Sequence, residues 1–199
     1  MAQAKVLNEK EIRRVLIYIS TKKHAARNRA MFLMTTNCGM RVGEVAAVRV
    51  CDVLTTDGKI RDEIHLKAEQ TKGRKGRVVL LSEKMQRELH NYLSARFKIE
   101  DLLPLTLTDT TRALFSNQKN ASRGFSANTL AQHFSTLYAR VGIGGASSHS
   151  GRRMFITQLA NKGVSVRVLM ELAGHSDMSV TQKYMDSNPS MMRNAVELL

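Results

Sequence analysis

The 199-residue sequence predicts a mainly α-helical chain with one small antiparallel β-sheet, an α+β fold in a single domain over residues 1–199. Three observations predict it. Apolar residues recur at three- and four-residue spacing through most of the chain, the pattern of amphipathic helices. One stretch alone, residues 63–81, switches to alternation and β-branched runs. Hydrophobic residues make up 43% of the chain, and a chain of this length can bury a sizeable core. No internal repeat and no low-complexity segment interrupts it.

Asn8-Glu9-Lys10-Glu11 has the form of a capping box, in which Asn8 and Glu11 satisfy each other's free amides. Ile12, Val15, Leu16 and Ile19 follow at helical spacing. A second helix is expected over Ala25–Asn37, with Met31, Phe32 and Met34 among its apolar residues, and Gly39 suits the left-handed residue that closes it. A short third helix covers residues 42–48. Ile64 and Leu66 then alternate with polar neighbours, and Arg77-Val78-Val79-Leu80-Leu81 is rich in β-formers. Between them Thr71-Lys72-Gly73-Arg74-Lys75-Gly76 is a basic turn, so residues 63–81 read as a β-hairpin with a cationic tip. Ser82 caps a helix that uses Met85, Leu89, Leu93 and Phe97.

Residues 102–111 read as an irregular loop around Pro104, and residues 119–124 as a second, basic loop. Ser126 opens a helix through Leu130, Phe134, Leu137 and Val141 that stops at Gly142. After a flexible run at 144–148, a helix starts near His149 and ends at Gly163. Ser165 caps the next, through Val168, Leu169 and Leu172 to Gly174. Tyr184 falls on the following short helix. Asn188-Pro189 begins a last one carrying Met191, Met192, Val196 and Leu199, because proline is tolerated in a first turn.

Charge narrows the partner. Lys and Arg total 31 against 17 Asp and Glu, a net +14 with a pI of about 10.2. Such an excess points to a polyanion, with nucleic acid ahead of an acidic membrane. The absence of Trp and the count of six Phe argue against a stacking platform for single strands. Cys38 and Cys51 have no His or Cys at metal spacing, which argues against zinc. Without a signal peptide they are expected to be reduced, in a cytoplasmic chain. No apolar run approaches the ~20 residues of a membrane span.

The reactive candidates lie far apart in the chain. Arg41 follows a helix-ending glycine, and Glu44 stands one turn on, placed to hold it. Lys72 sits on the hairpin tip. His149 and Arg152 are three apart, on one helix face. His175 follows Gly174, and Tyr184 comes nine residues later. A phenol can form a covalent ester when cations hold its target. Each residue also has a plainer reading. Arg41 and Glu44 make a surface ion pair, the histidines cap helices, Lys72 is one solvated turn cation with Lys75 as a rival, and Tyr184 is a packing residue.

Together these residues resemble the catalytic domain of the tyrosine recombinases, the family of phage integrases and chromosome-dimer resolvases. Gly39-Met40-Arg41-Val42-Gly43-Glu44 resembles the family's first arginine box, and residues 71–79 its lysine-bearing hairpin. His149-Ser150-Gly151-Arg152 resembles the His-x-x-Arg box, and Gly174-His175 with Tyr184 the last box. The match covers roughly residues 7–199, and six weak signals in family order make a strong one. Three positions depart from the pattern. Gly151 stands where leucine is usual, and is expected to loosen the placement of Arg152. Arg153 stands where a second His is common, and Leu80 replaces a frequent Pro. Only a few residues precede the first helix, where most of the family carries a separate DNA-clamping domain, and in this the sequence resembles the short recombinases that flip fimbrial promoters.

The resemblance implies a site-specific DNA recombinase, an integrase or invertase in a bacterial nucleoid, plasmid or phage setting. Tyr184 attacks a phosphodiester of duplex DNA and leaves a 3′-phosphotyrosyl link. Arg41 and Arg152 clamp the phosphate, supported by Glu44, and His175 donates to it. Lys72 protonates the leaving oxygen, and His149 assists at Tyr184. Arg74, Lys75, Arg77 and Arg153 contact DNA. No cofactor is implied, and no acidic cluster suggests a metal. The partners implied are double-stranded DNA, further copies of the chain as dimer to tetramer, and an accessory recombinase or DNA-bending protein. Residues 189–199 form a helix exchanged between protomers or packed within one. The rival readings are a type IB topoisomerase, a non-catalytic DNA-binding regulator, and an isolated catalytic domain that needs a partner.

Overall fold

The computed structural model describes residues 4–98, 109–117, 123–182, 184, 192–193 and 196–197. Its helices are α1 (Glu9–Ser20), α2 (Ala25–Asn37), α3 (Val42–Ala47), α4 (Val50–Val53), α5 (Glu83–Arg96), α6 (Ala127–Arg140), α7 (Ser150–Asn161), α8 (Val166–Ala173) and α9 (Met178–Gln182). The strands β1 (Glu63–Leu66) and β2 (Arg77–Leu80) pair antiparallel, with Glu63 opposite Leu80 and Leu66 opposite Arg77. The fold is mainly α with a two-stranded sheet, as the sequence predicts.

Helices α1, α5, α6 and α8 begin where side chains satisfy their first free amides. Asn8 accepts from the Glu11 amide while Glu11 reaches back to the Asn8 amide, the expected capping box. Ser82, Ser126 and Ser165 accept from the amides of Met85, Thr129 and Val168. The ends are as local in origin. Gly142 takes φ +69° after α6, and Gly174 takes φ +60° after α8, a left-handed backbone that glycine adopts without strain.

Helix α2 is the hub. Residues 30–36 are all buried, so it is apolar almost all round, as a central helix must be. It packs against α1, α5 and α7. Met31, Phe32 and Met34 join Val15, Ile19, Met85, Leu89 and Tyr138 in one continuous core. Outside this hub, α8 contacts α7, α9 and β2. The last turn of α8 therefore meets residues from widely separated parts of the chain.

Four details differ from the sequence reading. Val50–Val53 forms α4, a turn too short to show periodicity. Val168 faces outward at 45% exposure, because Leu169 and Ala173 already supply the buried stripe of α8. Tyr184 sits in a turn just past α9, its amide donating to the Thr181 carbonyl at 3.0 Å. Gly151 does not loosen α7. A Cβ there would lie 2.2 Å from Thr35 Oγ1, so the missing side chain is what lets α7 close on α2.

Most of the expected loop around Pro104, much of the basic loop at 119–124 and the start of the helix at Asn188-Pro189 lie outside the described residues. The described part of that last helix exposes Met192 and Val196. Among the described residues no helix is long and apolar enough to cross a membrane.

Candidate active site

The last carbonyls of a helix have no partner within it and carry the negative end of its dipole. At the end of α8 three arginines from three elements take up consecutive ones. Arg77 Nη1 of β2 donates to the Leu172 carbonyl at 3.0 Å. Arg152 Nη2 of α7 donates to the Ala173 carbonyl. Arg41 Nη2, at the start of α3, donates to the Gly174 carbonyl at 3.1 Å. This clasp fixes the backbone just before His175.

Glu44 anchors two of the three from behind. It is 1% exposed, and each oxygen is used twice. Oε1 accepts from Arg41 Nη1 at 2.8 Å and Arg77 Nε at 3.2 Å. Oε2 accepts from the Arg41 backbone amide at 2.8 Å and Arg77 Nη2 at 2.7 Å. Burial alone would push this carboxyl pKa up, but the hydrogen bonds and charge of Arg77, with those of Arg41, hold it below the usual range. The plain reading of Arg41 and Glu44 as a surface pair does not describe this buried network.

Arg77, expected to contact DNA, is held within the fold by Glu44 and the end of α8. Its side chain is 9% exposed, with Nε and both terminal nitrogens engaged by Glu44 and Leu172. Its aliphatic stem runs beside Gly174, where a Cβ would lie 2.4 Å from Arg77 Cδ. Its partners are 33 and 95 residues away in the chain, so no local pattern announces them.

Arg152 is 5% exposed and also donates from Nη1 to the Gly39 carbonyl at 2.7 Å. It ties the turn before α3 to the end of α8. Burial, with the nearby charges of Arg41 and Arg77, pushes its pKa down to about 9. At neutral pH the site still holds a fixed cluster of guanidinium charge around one carboxylate.

His175 extends from the clasped segment. Its Nδ1 lies 2.9 Å from Oγ1 of Thr181, a fully buried hydroxyl on α9. Burial and the charges of Arg152, Arg41 and Arg77 push its pKa down to about 4, so the ring is neutral at pH 7. Thr181 carries no motif signal, and sequence reasoning missed it. The His175 ring lies nearly parallel to that of Tyr184, with centroids 6.1 Å apart and planes 19° from each other.

A cleft of about 580 Å³ opens over this floor, lined by Arg41, Lys72, Lys75, Arg77 and His175 among others. The hairpin tip brings Lys72, Arg74 and Lys75 to the surface. Lys72 and Lys75 both reach the cleft wall, so the structure keeps them as rivals. His149 stands at the start of α7, where burial and the charges of Arg152, Lys72 and Arg41 keep its pKa below the ordinary value. Arg153 reaches the carbonyl of Ala4, and its guanidinium lies over the Tyr184 ring. Of the six reactive candidates, Arg41, Lys72 and His175 line one cationic cleft, the buried Arg152 bonds the Ala173 carbonyl just before His175, and the Tyr184 ring lies beside His175. Such a cleft suits an anion with several oxygens, and the guanidinium fork matches phosphate.

Comparison with known proteins follows the same line. The model of the phage integrase family matches residues 5–191. The tyrosine recombinase XerA of Pyrococcus furiosus is 27% identical over 195 residues, which cover 97% of this chain and 61% of the relative. XerD of Staphylococcus epidermidis is 32% identical over 176 residues, 87% of this chain and 54% of the relative. The chain thus spans between about half and three-fifths of the length of these curated relatives. A crystal structure of XerA recombinase superposes on all of this chain and 66% of its own, with a TM-score of 0.74 and 23% identity. XerH bound to its difH substrate gives 0.69 at 22% identity, over 96% of this chain and 53% of its own. The matched structures share the fold, and the match across residues 5–191 shows that the chain belongs to the phage integrase family.

Proposed function

We propose that the chain cleaves and rejoins duplex DNA at specific sites through a tyrosyl–DNA ester. The observation that supports this reading is that Arg41, Lys72 and His175 line one cleft, with Arg152 bonded to the backbone just before His175 and the Tyr184 ring stacked on His175. Tyr184 Oη attacks a backbone phosphorus, the P–O5′ bond breaks, and a 3′-phosphotyrosyl link replaces it. Attack by a 5′-hydroxyl reverses the exchange, so one ester is traded for another and no nucleotide is consumed.

Arg41 and Arg152 offset the charge that gathers on the non-bridging oxygens. Each guanidinium carries five N–H donors, so bonds to backbone carbonyls leave others for phosphate. The neutral His175 can accept the Thr181 hydroxyl proton at Nδ1 and donate from its other nitrogen. Lys72 protonates the departing 5′-oxygen, and His149, its pKa held down, accepts the Tyr184 proton near neutrality. Exposed Arg74 and Lys75 contact the duplex backbone. Copies of the chain assemble on DNA as dimers or tetramers, with accessory recombinases or bending proteins joining where the site requires them.

The test uses nicked duplexes from the DNA that flanks the chain's own coding sequence, so that cleavage traps the protein. The expected result is an adduct that survives denaturant with the wild type and is absent with Tyr184→Phe. An adduct that persists in Tyr184→Phe, or a bound duplex that never yields one, overturns the reading. Exchange between two sites on a plasmid, rather than relaxation alone, separates a recombinase from a topoisomerase.

A further inference from the structure

Arg153 follows Arg152 on α7 but serves a different neighbour. Its guanidinium carbon lies 5.3 Å from the centre of the Tyr184 ring, within the range of a cation–π contact. One of its terminal nitrogens donates to the Ala4 carbonyl. The segment that carries Ala4 is itself anchored. The Lys5 amide donates to the Gly145 carbonyl at 3.0 Å, Lys5 Nζ pairs with Glu11 at 2.5 Å, and Leu7 is buried. Tyr184, by contrast, lies beyond the last turn of α9, where the helix ladder no longer sets the direction of a side chain. One backbone bond, from its amide to the Thr181 carbonyl, holds it there, and its ring meets His175 in one contact and the Arg153 guanidinium in another.

We propose that Arg153 is a positioning residue for Tyr184: it holds the phenol ring beside His175 through the ring face, and the Ala4 carbonyl fixes the guanidinium that does so. The inference rests on Tyr184 as the nucleophile. It replaces the expectation that Arg153 serves chiefly as a phosphate contact. A phosphate contact tightens DNA binding, whereas a positioning contact changes how often the bound complex reaches attack geometry. The N-terminal segment then takes part in the site through one hydrogen bond, although it lies far from the cleft residues in sequence.

Two measurements on the full chain test it. In the first, NMR follows ring-labelled tyrosines in the DNA-free protein. There are four, and Tyr184→Phe assigns the signal of interest. Arg153→Gln is expected to shift or broaden Tyr184 while leaving the buried Tyr92 and Tyr138 in place. A Tyr184 signal that stays unchanged overturns the proposal whether or not the protein cleaves DNA.

The second compares single-turnover adduct formation on the nicked flanking duplexes with equilibrium binding to the same duplexes. Arg153→Gln is expected to slow adduct formation about tenfold at unchanged affinity, in keeping with the strength of a partly desolvated cation–π contact. Arg153→Lys keeps a cation for the ring and is expected to recover most of the rate. Wild-type adduct rates in Arg153→Gln with weakened, less salt-sensitive binding would show a phosphate contact and overturn the proposal. No adduct even from wild type on a bound duplex would remove the nucleophile reading, and the ring signal would still decide whether Arg153 holds Tyr184.

Discussion

At position 151 the absence of a side chain decides how closely α7 approaches α2. An added Cβ would fall 2.2 Å from Thr35 Oγ1 and 2.9 Å from Thr35 Cβ. Thr35 cannot simply swing away, because it is buried and its hydroxyl donates to the Phe32 carbonyl at 2.7 Å. Gly151→Leu would install the residue usual in the resembled pattern, yet it is expected to destabilise this chain by about 1–3 kcal/mol through overpacking. The check is a lower denaturant midpoint at unchanged slope. Adduct formation should fall as well, since Arg152 moves with its helix. His175 makes a second prediction at the same scale. Its folded pKa of about 4 lies below the ordinary histidine value near 6.5. Between those values the unfolded chain binds the extra proton, so this group's contribution to stability rises with pH through that window and falls as pH drops through it. An NMR titration of His175 should show a midpoint near 4 in the free protein, displaced upward when inorganic phosphate occupies the cleft. A midpoint near 6.5 without phosphate would refute the burial of the ring beside those guanidinium charges.

The end of α8 shows what elements contribute beyond single residues. Three carbonyls, three arginines and one buried carboxylate join β2, α3, α7 and α8. Gly174→Ala should disturb all of them, because alanine at φ +60° is strained and its Cβ would lie 2.4 Å from Arg77 Cδ. A loss of about 2 kcal/mol with slower adduct formation is expected, and an unaffected unfolding midpoint would contradict it. Glu44→Gln should cost more, about 3 kcal/mol, because it removes the counter-charge of the buried Arg77 and of the partly exposed Arg41. The starts of α1, α5, α6 and α8 were readable because their cause is local: Asn8, Ser82, Ser126 and Ser165 bond amides three residues away. Arg41, Lys72, His149, Arg152, His175 and Tyr184 were legible as candidates only as an ordered set. The clasp was not legible. Arg77 looked like one more surface cation because Glu44 and Leu172 are distant in sequence, and Gly151 looked like a weakness because Thr35 belongs to another helix. Thr181 escaped for the same reason, since a hydroxyl becomes a partner of His175 only after α9 folds back.

Over the whole molecule, a net charge of +14 sets how the chain meets a polyanion, and burial decides which cations take part. Lys72, Arg74 and Lys75 project at the hairpin tip, whereas Arg77 is turned inward toward Glu44. Each phosphate neutralised by an exposed cation releases condensed counterions and adds about 0.9 to the slope of log affinity against log salt. Binding to a short duplex of arbitrary sequence should therefore weaken steeply as sodium chloride rises from about 50 to 200 mM. Arg74→Gln with Lys75→Gln should weaken binding evenly across sequences and reduce that slope by up to about 2 if each residue meets one phosphate. Arg77→Gln should leave the slope nearly unchanged while lowering the unfolding midpoint, because its charge is spent on Glu44 within the fold. Fluorescence anisotropy at several salt concentrations, paired with denaturant melts, separates the two classes. If Arg77→Gln flattened the salt dependence as much as the hairpin double variant, the division between clasping and contacting arginines would be wrong.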